Sequence, residues 1–131
     1  MAYDVLDPSD VMTALAGADL STKQFYFVNI YNKGGVAKVE VAATAGGRVD
    51  GILQDKPSAD GMDCLVAGSG ISKVVCAGAA NPGDLGTCSS AGKAATASAT
   101  AYQRVGKFLE SAAVDGDVVA FKLGSYGPNV P

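Results

Sequence analysis

The chain has 131 residues, a net charge of −3 and 48% hydrophobic residues. Its length is that of one domain, and its apolar content is sufficient for a packed core. The lysines and arginines are scattered singly, whereas nucleic-acid binding needs clustered basic residues, so we expect no nucleic-acid partner. The apolar runs are too short to cross a bilayer, and residues 1–10 contain three aspartates and no basic residue. We therefore expect no membrane partner and no secretion signal.

The first twenty residues differ in composition from the rest of the chain. Asp7 is a suitable helix N-cap, Pro8 suits the first helical position, and Gly17 would end a helix of one or two turns. The alternative is an extended arm that becomes ordered only against a partner. We therefore divide the chain into an N-terminal arm or short helix over 1–20 and a β-domain over 21–131. We expect the arm to contribute little to the fold.

The remainder of the chain consists of short runs of strand-forming residues separated by turn residues. Seventeen glycines and five prolines interrupt the apolar sequence, a composition typical of strands joined by tight turns. Pro82-Gly83 and Asp115-Gly116 are two of the turn signals. This number of short strands predicts an all-β sandwich or small barrel. The predicted strands cover residues 24–31, 36–41, 49–54, 62–67, 71–77, 94–98, 105–110 and 118–123.

Two stretches of the β-domain resemble each other. Residues 48–54 (RVDGILQ) resemble residues 104–110 (RVGKFLE), and each stretch is followed by an Asp-Gly turn and a second strand. Each unit is therefore predicted to be a strand, a short loop, an Asp-Gly turn and a further strand. We predict that two such halves pack face to face in a pseudo-symmetric barrel.

The three cysteines, Cys64, Cys76 and Cys88, follow one another at intervals of twelve residues. The sequence contains no histidine and no Cys-x-x-Cys pair, so a zinc site would lack its usual ligands. We predict reduced cysteines that behave as small apolar residues. Cys64 and Cys76 are expected to be buried in strands, and Cys88 to lie in a loop.

Residues able to carry catalysis are scarce. The absence of histidine excludes Ser-His-Asp and Cys-His arrangements, and most of the aspartates stand where aspartate forms turns. A paired-carboxylate hydrolase using Asp55, Asp60 or Asp63 is the enzymatic alternative. The glycine-rich segment 68–73 (GSGISK) lacks the spacing and the following helix of a phosphate-binding loop, so we predict a hairpin turn there. We predict that the protein is not an enzyme and has no catalytic residue, cofactor site or metal site.

Seven short stretches follow one another in an informative order. They are 21–28 (STKQFYFV), 51–57 (GILQDKP), 66–74 (VAGSGISKV), 81–86 (NPGDLG), 91–94 (AGKA), 105–112 (VGKFLESA) and 115–121 (DGDVVAF). In this order and spacing they resemble the capsid decoration, or head cement, proteins of tailed bacteriophages. The resemblance covers about residues 21–123, and the order of the stretches carries it, because each stretch alone is a strand edge with a turn.

The resemblance implies a small β-barrel or β-tulip-like fold of short antiparallel strands that assembles as a homotrimer. It implies a structural virion protein, made in the bacterial host cytoplasm, that binds the outer surface of the capsid. There it would cement neighbouring major capsid proteins and stabilise the expanded head through buried area and many copies. The alternative is a β-barrel binding module for a carbohydrate or peptide in a larger phage or cell-surface assembly. The aromatic residues lie mainly inside predicted strands, which favours the first interpretation.

The N-terminal segment supplies the candidate residues for contact with the capsid. A short segment with apolar side chains and little structure of its own can become ordered at the moment of binding. The candidates are Tyr3, Val5, Leu6, Val11, Met12 and Leu15.

Overall fold

The computed structural model describes residues 7–98 and 102–128, and this part of the chain forms nine strands and no helix. The prediction of an all-β fold is confirmed. Within the described ranges, no segment forms a helix that is long and apolar enough to cross a membrane. The strands are β1 (Asp7–Ala16), β2 (Phe27–Lys33), β3 (Val36–Val41), β4 (Gly51–Leu53), β5 (Asp63–Val75), β6 (Leu85–Cys88), β7 (Ala94–Thr96), β8 (Gln103–Phe108) and β9 (Val118–Pro128).

Glycines at the predicted turns adopt backbone conformations that other residues avoid. Gly83 has a φ of 90° and lies in the turn 81–84, which a 3.1 Å bond from Asp84 N to Asn81 O closes. Gly116 has a φ of 97° in the turn before β9. Only glycine reaches such φ values without a steric cost, which is why these dipeptides predicted the turns correctly.

Hydrogen bonds join the nine strands into one mixed sheet in the order β1-β3-β2-β4-β5-β9-β8-β6-β7. Because β1 also pairs with β5, strands β1 to β5 close into a ring. The β1–β3 pair is parallel, and the remaining strand pairs are antiparallel. A single bridge from Cys76 to Ala94 links the end of β5 to β7. The architecture is a curved sheet with a partial ring, which is less closed than the predicted barrel.

β5 is one continuous strand of 13 residues, so the predicted hairpin turn at 68–73 is wrong. Gly70 has a φ of 84°, and the register with β1 shifts beside it, between Pro8 and Val11. This irregularity is a bulge, in which an extra residue bends a strand without ending it. The strand continues because β9 pairs with it from Gly70 to Val75 and satisfies its backbone groups.

Two clusters of buried side chains lie on opposite faces of β2 and β4. Phe27 and Ile52 belong to one cluster, while their chain neighbours Val28 and Leu53 belong to the other. This is the alternation expected of strands that are covered on both faces. We call the smaller cluster, which the strands of the ring share, the ring core. We call the larger one, which extends to β6–β9, the outer core. The ring core comprises Ala16, Leu20, Val28, Val39, Leu53, Cys64 and Val66.

The bulge at Gly70 decides which residues of β5 face which core. Before the bulge, the even-numbered Cys64 and Val66 lie in the ring core. After it, the even-numbered Val74 and the following Cys76 lie in the outer core. Side chains alternate with a period of two along a strand, so one extra residue transfers every later side chain to the opposite face. The bulge therefore brings Val74 into the outer core, where Ala67 already lies.

Residues 7–16 form a strand, so the predicted short helix at the N-terminus is wrong. Eight residue pairs join β1 to β5, and two more join it to β3. Ala16 and Leu20 are buried in the ring core, against which Met12 also packs. The helix start signal at Asp7-Pro8 is outweighed because the segment pairs with β5 from Asp7 to Leu15 and with β3 at Leu15 and Ala16, which satisfies many of its backbone groups. An isolated helix of two turns would be marginal in water. The described part of the segment 1–20 thus contributes to the fold, contrary to our expectation.

The two similar stretches form two antiparallel pairs, β4 with β5 and β8 with β9. The pairs lie side by side in the order β4-β5-β9-β8, because β5 and β9 are hydrogen-bonded to each other. This order is the same when it is read from either end, as expected for two halves related by a pseudo-two-fold axis. The predicted face-to-face packing is therefore wrong, and the halves meet edge to edge.

Removal of β1 should destabilise the domain. A chain that begins at residue 17 should have a free energy of unfolding at least about 3 kcal/mol below that of a chain that begins at residue 7, because the ring opens and the ring core loses Ala16. Urea unfolding followed by circular dichroism measures the difference. Equal unfolding midpoints for the two chains would show that β1 is dispensable for the fold.

Gly86 should not tolerate a side chain. The rings of Phe27 and Phe108 pack edge-on against Phe121, with centroids 5.7 and 5.1 Å away, and the Cβ of an alanine at position 86 would lie 2.5 Å from Phe121 Cε1. We expect Gly86→Ala to cost about 1–3 kcal/mol of stability. Phe121→Leu in the same chain should remove part of that cost, because it clears the space. Strictly additive losses in a double-mutant cycle would contradict this interpretation.

Candidate functional site

Two of the three acidic residues considered as catalytic groups, Asp55 and Asp60, make structural contacts. Asp60 accepts bonds from Lys33 Nζ at 2.7 Å and from Lys38 Nζ at 2.5 Å, and these bonds lower the pKa of its carboxyl to about 2. Asp55 Oδ1 accepts a 3.2 Å bond from Leu65 N. Across residues 7–98 and 102–128, no group of three or more metal-ligating side chains is placed to hold an ion.

The three cysteines are free and buried. The predicted burial of Cys64 and Cys76 is confirmed, whereas Cys88 is the last residue of β6 and only 1% exposed, so its assignment to a loop is wrong. The thiol of Cys88 donates to Ser89 O at 3.0 Å. Burial raises the pKa of the Cys76 and Cys88 thiols to about 11. At neutral pH both remain protonated, and a protonated thiol is a poor nucleophile and metal ligand.

An exposed apolar surface crosses the outer face of β1 and β5. Val11 is 47% exposed and Leu65 is 42% exposed, and Leu15 is half-buried. Thr13 pairs directly with Leu65, so Val11 and Leu15 are the diagonal neighbours of Leu65 across the strand pair. We call these four residues the outer strip. Because both strands are hydrogen-bonded in the sheet, the strip presents apolar side chains in fixed positions.

Strand alternation divides the candidate capsid contacts of the N-terminal segment. Val11 and Leu15 belong to the outer strip, whereas Met12 points to the opposite face and packs against the ring core. Tyr3, Val5 and Leu6 lie outside the described residues. Leu65 was missed by the sequence analysis, although the period of two within the predicted strand 62–67 was the signal that could have identified it.

A cleft of about 210 Å³ marks the junction of the two similar halves. It is lined by equivalent positions from each half, namely Arg48, Val49 and Gly68 from the first and Arg104, Val105 and Gly124 from the second. Guanidinium groups suit anionic partners. In this cleft, however, Arg48 Nε lies 3.7 Å from Asp50 Oδ1, and Asp50 Oδ2 accepts a 2.8 Å bond from Ile30 N. Asp50 therefore joins the loop before β4 to β2 and also lies beside Arg48.

The same arrangement of strands occurs in a solved structure described as the head fiber gp8.5 N base in bacteriophage phi29. The TM-score is 0.70, and the likeness covers 88% of this chain and 93% of that chain. The two chains share one fold. Their sequences are 15% identical, so the likeness establishes the fold and leaves the function to be argued separately. No protein-family model matches the sequence. No curated protein matches it either.

The burial of the cysteines predicts slow alkylation of the folded protein. With iodoacetamide at about pH 8, the native chain should remain largely unmodified, because the thiols are buried and little thiolate is present. The chain unfolded in guanidinium should take up three adducts, as counted by mass spectrometry. Cys88→Ser should lower stability by about 1–3 kcal/mol by placing a poorly paired hydroxyl in the outer core. Rapid labelling of Cys88 in the native protein would contradict its burial.

Proposed function

We propose that this protein is a structural component of a phage head that binds the outside of the capsid and cements neighbouring major capsid proteins. The observation that carries the proposal is the likeness to a phage head fiber base over nearly the whole length of both chains. The order of the seven stretches between residues 21 and 123 supports the same assignment independently, since it derives from the sequence alone.

The outer strip is the part of the surface that we assign to capsid contact. Val11 and Leu65 are large apolar residues that remain 47% and 42% exposed within the chain, and burial against a partner would remove them from water. Each contact of this size is weak alone. Attachment of many copies, or of several strips in one oligomer, would multiply its effect.

In the proposed function, the protein acts through the surface area that it buries against its partners and carries out no chemical step. Asp60 is engaged by lysines and Asp55 by backbone, and the thiols of Cys76 and Cys88 are buried and protonated at neutral pH. We propose that the partners are the major capsid protein and two further copies of this chain. In a homotrimer three outer strips would be presented together, which supports binding at positions of three-fold symmetry.

The proposal is tested by mixing the purified protein with expanded, undecorated heads of the phage that encodes it. We expect bound copies in a fixed ratio to the major capsid protein, counted by densitometry of sedimented heads. Leu65→Asp should reduce the bound fraction about tenfold or more, because it places a charge within the apolar contact. Val114→Asp is the matched control, since Val114 is 60% exposed in the turn before β9, away from the outer strip.

The possible outcomes test the proposed capsid binding and the proposed contact surface independently. If the unaltered protein does not sediment with heads, the proposed function is wrong. If Leu65→Asp and Val114→Asp bind equally well, the function stands and the outer strip is not the contact. Light scattering of the free protein tests the trimer directly, because the mass of one chain is 13.1 kDa.

A further inference from the structure

A polar groove lies at the far end of β5 from the outer strip, where four parts of the chain meet. The loop 21–26 forms one wall of the groove. Lys56, which follows β4, Lys93, which precedes β7, and Gly116, in the turn before β9, form the rest of it. The floor is apolar at Val75. The side chains that the groove presents are those of Thr22, Gln24, Tyr26, Lys56, Val75 and Lys93. The fold brings Lys56 and Lys93 from distant segments to the loop that carries Tyr26.

The charge at this groove is positive although the chain is acidic overall. Lys23 Nζ lies 4.9 Å from the centre of the Tyr26 ring. Lys56 is exposed and has no ion-pair partner within the described residues. Lys93 Nζ lies 2.8 Å from Asp115 Oδ1, a carboxylate whose side chain is 64% exposed. Lys56 and Lys93 therefore line the groove together with Tyr26, Lys23 lies against the Tyr26 ring, and Asp115 pairs with Lys93.

A strained residue holds the loop wall in position. Phe25 has a φ of 68°, which is rare for a bulky side chain. Its N–H donates to Leu53 O at 2.7 Å, and its carbonyl accepts a 3.0 Å bond from Val75 N. Strained backbone of this kind persists only where the surrounding structure fixes it, and it is concentrated at functional sites. The neighbouring Gln24 is fixed as well, through a 3.0 Å bond from Nε2 to Gln54 O.

The backbone N–H groups at the floor of the groove are already hydrogen-bonded, and this restricts the class of ligand that can bind. The N–H of Val75 is used by Phe25, and the N–H of Cys76 donates to Asp117 O at 2.8 Å. A peptide therefore finds no free strand edge at the floor for strand addition. A single-stranded nucleic acid needs several stacking surfaces in a basic channel, and this groove offers one aromatic ring in a chain of net charge −3. The hydroxyl, amide, phenol and ammonium groups that remain match a ligand rich in hydroxyls with an acidic group.

We propose that this groove binds an acidic saccharide, with the sugar carboxylate between Lys56 and Lys93 and the ring hydroxyls on Thr22, Gln24 and Tyr26. This site is separate from the outer strip, so a head protein fastened through β1 and β5 keeps the groove open. The inference does not depend on the proposed attachment to capsids, since it rests on the groove alone.

The test uses the full chain labelled with nitrogen-15 and titrated with trigalacturonic acid in low-salt buffer. Amide resonances of residues 21–26, 56 and 93 should shift in a saturable manner. Lys56→Gln should weaken binding about tenfold, as expected for the loss of one charge-assisted contact. Lys122→Gln is the matched control, because Lys122 is an exposed lysine of β9 outside the groove, and it should leave the affinity unchanged. Binding should weaken as added salt screens the lysines.

Three comparison probes decide between ligand classes. The neutral trisaccharide galactotriose should bind at least tenfold more weakly than trigalacturonic acid. A triglutamate peptide and an oligothymidylate should each bind more weakly than the acidic saccharide. Tighter binding of the peptide or the oligonucleotide overturns the ligand class. Absence of localised shifts at millimolar trigalacturonic acid, or equal affinity of Lys56→Gln and the unaltered chain, overturns the site.

Discussion

The structure depends on the bulge in β5. A regular strand of 13 residues would place Val74 on the same face as Val66 and would turn Lys73 toward the outer core, to which Ala67 belongs. The positive φ of Gly70 interrupts the alternation, so that Val66 faces the ring core and Val74 faces the outer core. β1 and β4 pair with the first part of the strand on its two opposite edges, and β9 pairs with the second part. The two halves of the molecule are therefore coupled through one continuous backbone.

This arrangement gives a rigid surface to a small protein. The outer strip and the polar groove lie toward opposite ends of β5, and both are built on backbone that is already hydrogen-bonded. Side chains held in this way lose little conformational freedom on binding, which lowers the cost of association. A fold of this kind tolerates wide sequence change, as the 15% identity with the phi29 head fiber base illustrates. It requires small residues where strands approach one another closely, as Gly86 approaches Phe121 and Gly51 approaches Ala67.

Several parts of the fold and the site followed from local sequence. The turn at Gly83 was predictable because only glycine takes its φ without cost, and the burial of Cys64 and Cys76 followed from apolar runs with strand propensity. β6 was missed, since Leu85–Cys88 is short and contains a glycine, and one of its two partners, β8, is distant in sequence. Leu65 was recognisable in principle from its alternation. The grouping of Lys56 and Lys93 with Tyr26 was not, because these residues come from separate segments of the chain.

The sequence by itself determined the all-β class, most strand positions and the turns, because these depend on the propensities of neighbouring residues. Tertiary structure alone decided that residues 7–16 form β1, that β5 continues through Gly70, and that the two similar halves meet edge to edge. In each of these cases a local signal for a helix, a turn or a packed half competes with backbone pairing to a distant strand. The pairing prevails because it satisfies many backbone hydrogen-bonding groups together and encloses a core, and neither gain is visible in a short stretch of sequence.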